Sequence, residues 1–379
     1  MNKKFSPTRI GVNLLWCVPG VGGSEEYLVR QLLGLIDNTH DYVVDVFAPK
    51  GFSTRQPRLA SHFNIVEAPS RCTRRAIRIV LEHSWLTWRT RRHNVVHHGG
   101  GTMPRWGNST TVLTVHDVQW TTYPEYVAPV KLKYLQRVVP LSLKRATRIV
   151  VPTHFVASTL TENFGVSSEK ISVVRHGVES DVLTHRTEES VLRDRWNVGS
   201  GPVWAFPAIT HPHKNHLFVL ELMAATTGPW ADPTAHLVCA GSAGSSEEVV
   251  KKFITEHGLE NRVVMPGRIS EADRNGLLAM SEAMIFPSQY EGFGAPLIEA
   301  MHLGTAILAS NCASIPEVVG DAGVVVPLDR DAWIEGLHHL RTQRDDLIRR
   351  GQQRAAYFTT ALSGADLLVA YRTALGEHQ

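Results

Sequence analysis

Two carboxylates with seven residues between them stand in the segment Glu-Gly-Phe-Gly-Ala-Pro-Leu-Ile-Glu-Ala, residues 291–300. An apolar run at residues 283–287 predicts a strand before this segment. Pro296 suits the start of a helix that Gly304 would end. Glycines in the loop let a ligand approach the backbone, and the amino end of the helix favours an anion. Glu291 and Glu299 would then hold hydroxyl groups on either side of a bound phosphate, which is the layout of a sugar nucleotide.

The same segment resembles the paired-glutamate motif of the retaining family-4 glycosyltransferases, which have the GT-B fold. The resemblance implies that Glu291 contacts the donor sugar and takes part in catalysis, and that Glu299 binds the ribose hydroxyls. It assigns the rest of the loop and the helix start to donor binding as well: Gly292, Phe293, Gly294, Ala295 and Pro296. The alternative is a surface loop before a helix in which Glu299 merely favours the helix dipole.

A histidine-rich segment, residues 211–216, follows a predicted strand at residues 203–206. By resemblance, Lys214 binds the donor diphosphate and acts in catalysis, because a cation there stabilises charge on the leaving phosphate. One common form of this motif carries an arginine a few residues earlier, and residues 208–210 supply none. The three histidines have no carboxylate or cysteine beside them, so we expect no required metal and no other cofactor.

Two further positions resemble donor contacts of the family. Gly22 and Gly23 lie between a predicted first strand and first helix, where backbone N–H groups can hold a phosphate, although such a turn also occurs without a ligand. Because no G-x-G-x-x-G is present, a nicotinamide dinucleotide is not expected. Arg268 follows another strand, at a position whose backbone often meets the nucleobase in the family, but it could equally be a surface charge.

On the acceptor side, His116 and Asp117 follow a predicted strand at residues 111–115 and resemble the family's His-Asp pair. His116 would bind the transferred sugar or position the acceptor, and we count it among the catalytic residues. The alternative is a strand end at which Asp117 accepts from loop amides. Upstream, His97 and His98 precede three glycines, and the sequence leaves open whether they line the same site.

A basic segment is predicted to form a helix with its arginines on one face: Arg71, Arg74, Arg75 and Arg78. Aliphatic residues lie alongside, and Trp85 and Trp88 follow. This composition suits contact with an anionic membrane. A lipid-linked or phosphate-bearing acceptor would explain it equally well, and a solvated basic face over a buried stripe is the alternative.

Runs rich in valine and isoleucine alternate with helical patterns, and the alternation restarts near residue 201. This predicts an α/β protein with two doubly wound, Rossmann-like parallel sheets. The GT-B resemblance implies that they face each other across a cleft. We expect an acceptor-binding domain at residues 1–185, a donor-binding domain at 186–360, and a final helix within 361–379 that returns to the first domain.

Charge is unevenly distributed along the chain, because residues 1–150 carry a net charge of +12 and residues 151–379 one of −9. The basic half suggests an anionic partner, but no nucleic-acid-binding motif is present and we expect none to bind. Four scattered cysteines, no secretory leader and no apolar run long enough to span a bilayer indicate a cytoplasmic protein, with the inner face of the membrane as a possible location.

Together with these features, the resemblance implies a retaining hexosyltransferase that uses a nucleotide-diphosphate sugar and a glycan or lipid-linked acceptor. GDP-mannose is the first candidate donor, because the Pro-His-Lys-Asn-His form of residues 212–216 resembles mannosyl- and rhamnosyl-type members of the family. Two alternatives remain open at this point. One is a sugar-nucleotide epimerase or hydrolase, which would need additional carboxylates to move a proton or activate water. The other is a non-catalytic sugar-nucleotide-binding partner of a glycan-assembly complex.

Overall fold

The protein comprises two compact units, each built on one parallel sheet. The structure, a computed structural model, describes residues 7–20, 23–36, 42–179, 184–225 and 228–377. The first unit consists of Met1–Gly177 together with Thr359–Gln379, and the second of Val178–Phe358. Both sheets are parallel and doubly wound, so the predicted fold class is confirmed. Within the described ranges, none of the helices combines the length and apolar character needed to cross a membrane.

The first sheet has seven strands in the order β3-β2-β1-β4-β5-β6-β7. The strands are β1 (Thr8–Asn13), β2 (Tyr42–Ala48), β3 (Asn64–Glu67), β4 (Val95–His98), β5 (Thr111–Thr114), β6 (Arg148–Val151) and β7 (Ile171–Val173). The sequence pattern did not predict β3, a short and partly exposed edge strand. From β1 the chain continues through β2 to β3 at one edge of the sheet, and from β4 it continues to β7 at the other edge. The loops after the neighbouring strands β1 and β4 therefore run in opposite directions. This position is the switch point of the sheet, where ligands bind in folds of this kind.

Among the described residues, the helices between these strands are α1 (Gly23–Gly34), α2 (Phe52–Arg55), α3 (Pro57–His62), α4 (Arg75–Leu81), α5 (Thr87–Thr90), α6 (Gln119–Thr122), α7 (Pro129–Arg145) and α8 (His154–Phe164). A π-helical turn, Glu82–Leu86, joins α4 to α5. The prediction that four arginines share one helical face was wrong. Cys72 has a positive φ of 55°, which no helix accommodates, so α4 begins only at Arg75 and Arg71 lies outside it.

The second sheet has six strands in the order β10-β9-β8-β11-β12-β13. They are β8 (Val203–Ala205), β9 (His236–Ala240), β10 (Val263–Gly267), β11 (Ala283–Phe286), β12 (Ala306–Ser310) and β13 (Val324–Val326). The strands predicted at residues 203–206 and 283–287 correspond to β8 and β11. The helices are α9 (Glu189–Trp196), α10 (His216–Met223), α11 (Glu247–Glu256), α12 (Glu271–Met280), α13 (Ala295–Leu303), α14 (Ile315–Val319), α15 (Arg330–Thr342) and α16 (Arg344–Ala355). Here the winding direction changes between β8 and β11, which pair directly.

A last helix, α17 (Thr360–Leu375), belongs to the first unit and packs against α1. The two helices approach so closely that a Cβ built on Gly364 would lie 2.1 Å from the carbonyl carbon of Gly34. Glycine is therefore required at both crossing positions. The Tyr371 hydroxyl of α17 also contacts His97 Nδ1 at 2.8 Å, which ties the helix to the centre of the sheet.

Candidate functional site

The paired-glutamate segment forms the end of the loop after β11 and the first turns of α13, at the switch point of the second sheet. Gly294 precedes α13 with a φ of 93°, a left-handed conformation that glycine adopts without strain. Pro296 lies in the first turn, where its missing N–H costs no hydrogen bond, and Gly304 ends the helix with a φ of 73°. The buried Ser314 hydroxyl donates to the carbonyl oxygens of Glu291 and Phe293, at 2.9 and 3.3 Å, and so holds the loop in place.

Lys214 and Glu291 are brought together although 77 residues separate them in sequence. Lys214 Nζ lies 2.5 Å from Glu291 Oε1, and the two side chains are only 17% and 11% exposed. Their loops follow the paired strands β8 and β11, and the Gln289 N–H donates to the His213 carbonyl at 2.7 Å. The arrangement places a cation against the loop that leads into α13, so a diphosphate bound at this loop could contact both the ammonium group and the amino end of the helix.

Glu299 lies in the second turn of α13 with its side chain 6% exposed. Arg274 of α12 places its Nε 3.4 Å from Glu299 Oε2 and its Nη2 3.3 Å from Glu271 Oε1. Sequence reasoning missed Arg274, because its neighbours form an ordinary amphipathic helix and its partner is 25 residues away along the chain. The nearly buried carboxylate is therefore charge-balanced by a residue outside the motif.

The other residues predicted to bind the donor differ in their exposure and in their position in the second unit. The Phe293 side chain is 4% exposed and packs in the core, edge-on to Phe358 at 5.7 Å, so only its backbone faces the loop. Gly292, Ala295 and Pro296 are partly exposed. Arg268 is exposed at the end of β10, the edge strand two positions from β8. Two strands, β9 and β8, lie between β10 and β11, the strand that precedes the paired glutamates.

Of the three histidines around Lys214, His211 and His213 stack with ring centroids 5.9 Å apart, whereas His216 is buried in the core. His216 is 3% exposed and stacks on Phe206, with ring centroids 4.1 Å apart, so it belongs to the core. Burial, and then the Lys214 charge, lower the pKa of His213 to about 3, so this imidazole is neutral near pH 7. Across the described part of the chain, no three His, Cys, Asp or Glu residues are grouped so that they could hold a metal ion.

A second glycine-containing loop, after β9, packs against the Lys214 loop and was also missed by sequence reasoning. The Thr210 hydroxyl donates to Glu247 Oε2 at 2.5 Å and accepts from the Gly244 N–H at 2.7 Å. A Cβ on Gly241 would lie 2.0 Å from the Ala208 carbonyl oxygen, so glycine permits this contact between the two backbones. The β9 loop therefore supports the shape of the segment that carries Lys214.

In the first unit, His116 lies just beyond β5 and is packed against two aromatic rings. Its Nε2 is 2.9 Å from the Gly99 carbonyl oxygen, which assigns the proton to Nε2 and leaves Nδ1 as an acceptor. The ring centroids of Trp16 and Tyr27 lie 5.6 and 5.4 Å away. Burial lowers the pKa of His116, so the neutral form dominates near pH 7. Gly23 is the first residue of α1, and Gly22 lies outside the described residues.

The structure also shows what the neighbouring polar residues do. Asp117 is exposed and accepts from the Gln119 N–H at 3.0 Å, so it stabilises the turn after β5. Both ring nitrogens of His97 are engaged, by Tyr371 and by the Thr114 hydroxyl at 2.7 Å. His98 Nδ1 lies 3.3 Å from Asn13 Nδ2. Burial lowers the pKa of His97 and of His98 to about 3, and both are part of the sheet interior.

Both units of the chain match glycosyltransferase family models. Residues 21–182 match the family model for Glycosyltransferase Family 4, and residues 197–354 match the model for Glycosyl transferases group 1. The chain is 28% identical over 269 residues to O-antigen chain mannosyltransferase B of Escherichia coli, a match that covers 69% of this chain and 70% of the relative. It is 32% identical over 199 residues to MMP alpha-(1->4)-mannosyltransferase of Mycolicibacterium hassiacum, covering 52% of this chain and 45% of the relative.

Among solved structures, Anabaena HepE in complex with UDP and glucose superposes with a TM-score of 0.74 at 18% identity, covering 97% of this chain and all of that one. Such a similarity at low identity concerns the fold. Taken with the two family models and the mannosyltransferase relatives, it identifies the chain as a family-4 glycosyltransferase with the GT-B fold. The protein is therefore a hexosyltransferase.

Proposed function

We propose that this glycosyltransferase moves a hexose from a nucleotide-diphosphate sugar to a glycan or lipid-linked acceptor, with retention of anomeric configuration. The observation that carries the donor assignment is the Lys214–Glu291 pair at the switch point of the second sheet. GDP-mannose is the first candidate donor, because the relatives described above are named mannosyltransferases.

Each donor group has a chemically suited partner in the second unit. Lys214 and the amino end of α13 would bind the diphosphate and stabilise the charge that develops when the hexose leaves. Glu299 would accept hydrogen bonds from the ribose hydroxyls, and Glu291 would accept from a hydroxyl of the hexose. A diphosphate bound here would contact the Lys214 ammonium group, which would also keep its contact with Glu291. The cation would thereby hold the diphosphate and the Glu291 carboxylate at fixed positions relative to each other.

The acceptor is assigned to the first unit. His116 offers an unprotonated Nδ1 that could accept from a sugar hydroxyl, and the loops after β1 and β4 flank it at the switch point. For a retaining reaction, the acceptor oxygen would attack on the face from which the diphosphate leaves, and a phosphate oxygen would take the proton. His116 would then position the sugar rather than act as the base.

Transfer assays test this proposal directly. Purified protein would be incubated with GDP-mannose, UDP-glucose or UDP-galactose and with either octyl α-mannopyranoside or a lipid diphosphate-linked hexose. We expect transfer from GDP-mannose with an α-linked product, and its loss in Lys214→Ala and Glu299→Ala variants that remain folded. A β-linked product would contradict retention, and undiminished transfer in the variants would contradict the donor site.

We also propose that the first unit contacts anionic membrane through an exposed surface made by α4 and its flanks. The members of this surface are Arg71, Arg74, Ile77, Val80 and Trp88, of which the last three are 41%, 64% and 58% exposed. Arg75 and Arg78 contribute less, because Arg75 lies over the Tyr134 ring and Arg78 lies 3.9 Å from the buried Glu82. Basic residues with exposed apolar side chains suit the interface of an anionic leaflet, such as the cytoplasmic face.

Vesicle co-sedimentation tests the membrane surface. Wild-type protein should bind vesicles that contain phosphatidylglycerol but not vesicles of pure phosphatidylcholine, and added salt should weaken the binding. An Ile77→Asp, Val80→Asp variant should lose binding, whereas Val249→Asp, at a valine of α11 that is 55% exposed, should retain it. Equal binding of all three proteins, or equal binding to both vesicle types, would contradict the assignment.

A further inference from the structure

Arg274, which is not part of the paired-glutamate segment, contacts Glu299, the carboxylate predicted to bind the ribose. It lies in the first turn of α12, whose amino end is capped by the Ser270 hydroxyl. Its Nε is buried and lies 3.4 Å from Glu299 Oε2, while its Nη2 lies 3.3 Å from Glu271. The guanidinium group is thus held between an exposed carboxylate, Glu271, and a nearly buried one, Glu299, whose side chains are 55% and 6% exposed.

The contact with Arg274 affects the charge balance and the orientation of the Glu299 carboxylate. A carboxylate that is largely removed from water needs compensating charge or hydrogen bonds to keep a defined orientation. The ion pair between Arg274 Nε and Glu299 Oε2, which lie 3.4 Å apart without a hydrogen bond, balances the charge of the carboxylate and favours one orientation of it. The two helices that carry the pair, α12 and α13, also pack against each other, so the contact connects two elements of fixed geometry.

We infer that Arg274 is a positioning residue for the donor nucleotide, which acts through Glu299 to orient the carboxylate for the ribose 2′- and 3′-hydroxyls. The inference rests on the proposed donor site and names a residue beyond it. Arg274 would not touch the hexose or the diphosphate. Its removal should therefore weaken nucleotide binding and raise the KM for the donor, and change kcat little.

The ribose hydroxyls themselves provide the discriminating probe. Binding of GDP and of 2′,3′-dideoxy-GDP would be measured by calorimetry for the wild type and for Arg274→Gln, with UDP and 2′,3′-dideoxy-UDP used in the same way if uridine nucleotides bind instead. We expect Arg274→Gln to weaken GDP binding roughly two- to tenfold, which is the range for the loss of one hydrogen bond between Glu299 and a ribose hydroxyl. Binding of the dideoxy nucleotide should change less than twofold, because it lacks the hydroxyl groups that Glu299 would hold.

Three matched variants complete the test. In a Glu299→Gln background, Arg274→Gln should have no additional effect, because its action passes through that carboxylate. Arg274→Lys should restore part of the binding. Arg195→Gln removes a different ion pair to the same helix, with Asp273 at 2.8 Å, and should leave nucleotide binding unchanged.

The outcomes separate this inference from the proposal on which it depends. Equal losses for GDP and its dideoxy analogue, or no loss for either, would overturn the role of Arg274 while leaving the donor site intact. If no nucleoside diphosphate or nucleotide sugar binds the wild-type protein, the donor site itself is refuted, and the role of Arg274 with it.

Discussion

Replacing Lys214 with methionine would leave the Glu291 carboxylate, 11% exposed, without the cation that lies 2.5 Å away. Breaking a fully buried ion pair costs about 3–5 kcal/mol, whereas exposed pairs contribute about 0.2–1 kcal/mol. The pair lies between these limits and nearer to the first, so we expect the free energy of unfolding to fall by about 2 kcal/mol. Donor affinity should fall roughly tenfold to a hundredfold, since a charge-assisted hydrogen bond to phosphate is worth about 1.5–3 kcal/mol.

A double-mutant cycle isolates the interaction. Urea unfolding of wild type, Lys214→Met, Glu291→Gln and the double variant should give a coupling energy of about 1–2 kcal/mol. The exposed pair Lys252–Glu256, at 3.6 Å with side chains 73% and 56% exposed, is the control. Its coupling should stay below about 0.5 kcal/mol. A coupling for Lys214–Glu291 no larger than that of the control would refute the reasoning, because the buried setting would then confer no extra interaction.

Two further substitutions test other parts of the account. Gly294→Ala would place a Cβ 2.8 Å from Leu297 Cδ1 at a φ of 93°, so we expect a loss of about 2 kcal/mol in urea unfolding and weaker donor binding; an unchanged protein would contradict the close contact. His97 is kept neutral in the folded protein by burial, with a pKa of about 3, so its contribution to stability is fully present above pH 6.5 and is lost as pH falls toward 3. Between pH 7.5 and 5.0 this loss amounts to roughly 2 kcal/mol. Urea unfolding should therefore show a pH dependence smaller by about that amount in His97→Gln than in the exposed-site control His338→Gln, while the contribution of His98 remains in both variants. Equal pH dependence in the two variants would contradict this expectation.

Parts of the protein that depend on residues close together in the sequence were predicted well. The loop from Glu291 to Glu299 is local, so its glycines, its proline and the stop at Gly304 specify the strand–loop–helix unit without reference to the rest of the chain. Alternating apolar runs likewise predicted both parallel sheets. The strand β3 escaped because four partly exposed residues at a sheet edge carry no distinct pattern.

Contacts between distant residues carried no comparable signal. The resemblance assigned Lys214 and Glu291 to the same donor site, but their direct contact was not predicted. Arg274 was not considered, because its role depends on how α12 packs against α13. The prediction of a helix that includes Arg71 was wrong because of the local backbone. The spacing of the arginines gives no information on the left-handed conformation at Cys72.

The most direct test of the donor site is a thermal-shift panel of nucleotide-diphosphate sugars. Wild-type protein would be compared with a Lys214→Ala, Glu299→Ala double variant. Because a ligand that binds only the folded state raises its apparent stability, GDP-mannose or one other donor should raise the wild-type melting temperature and leave that of the variant unchanged. A donor that stabilises both proteins equally, or no stabilisation of the wild type by any donor, would contradict a donor site built on Lys214, Glu291 and Glu299.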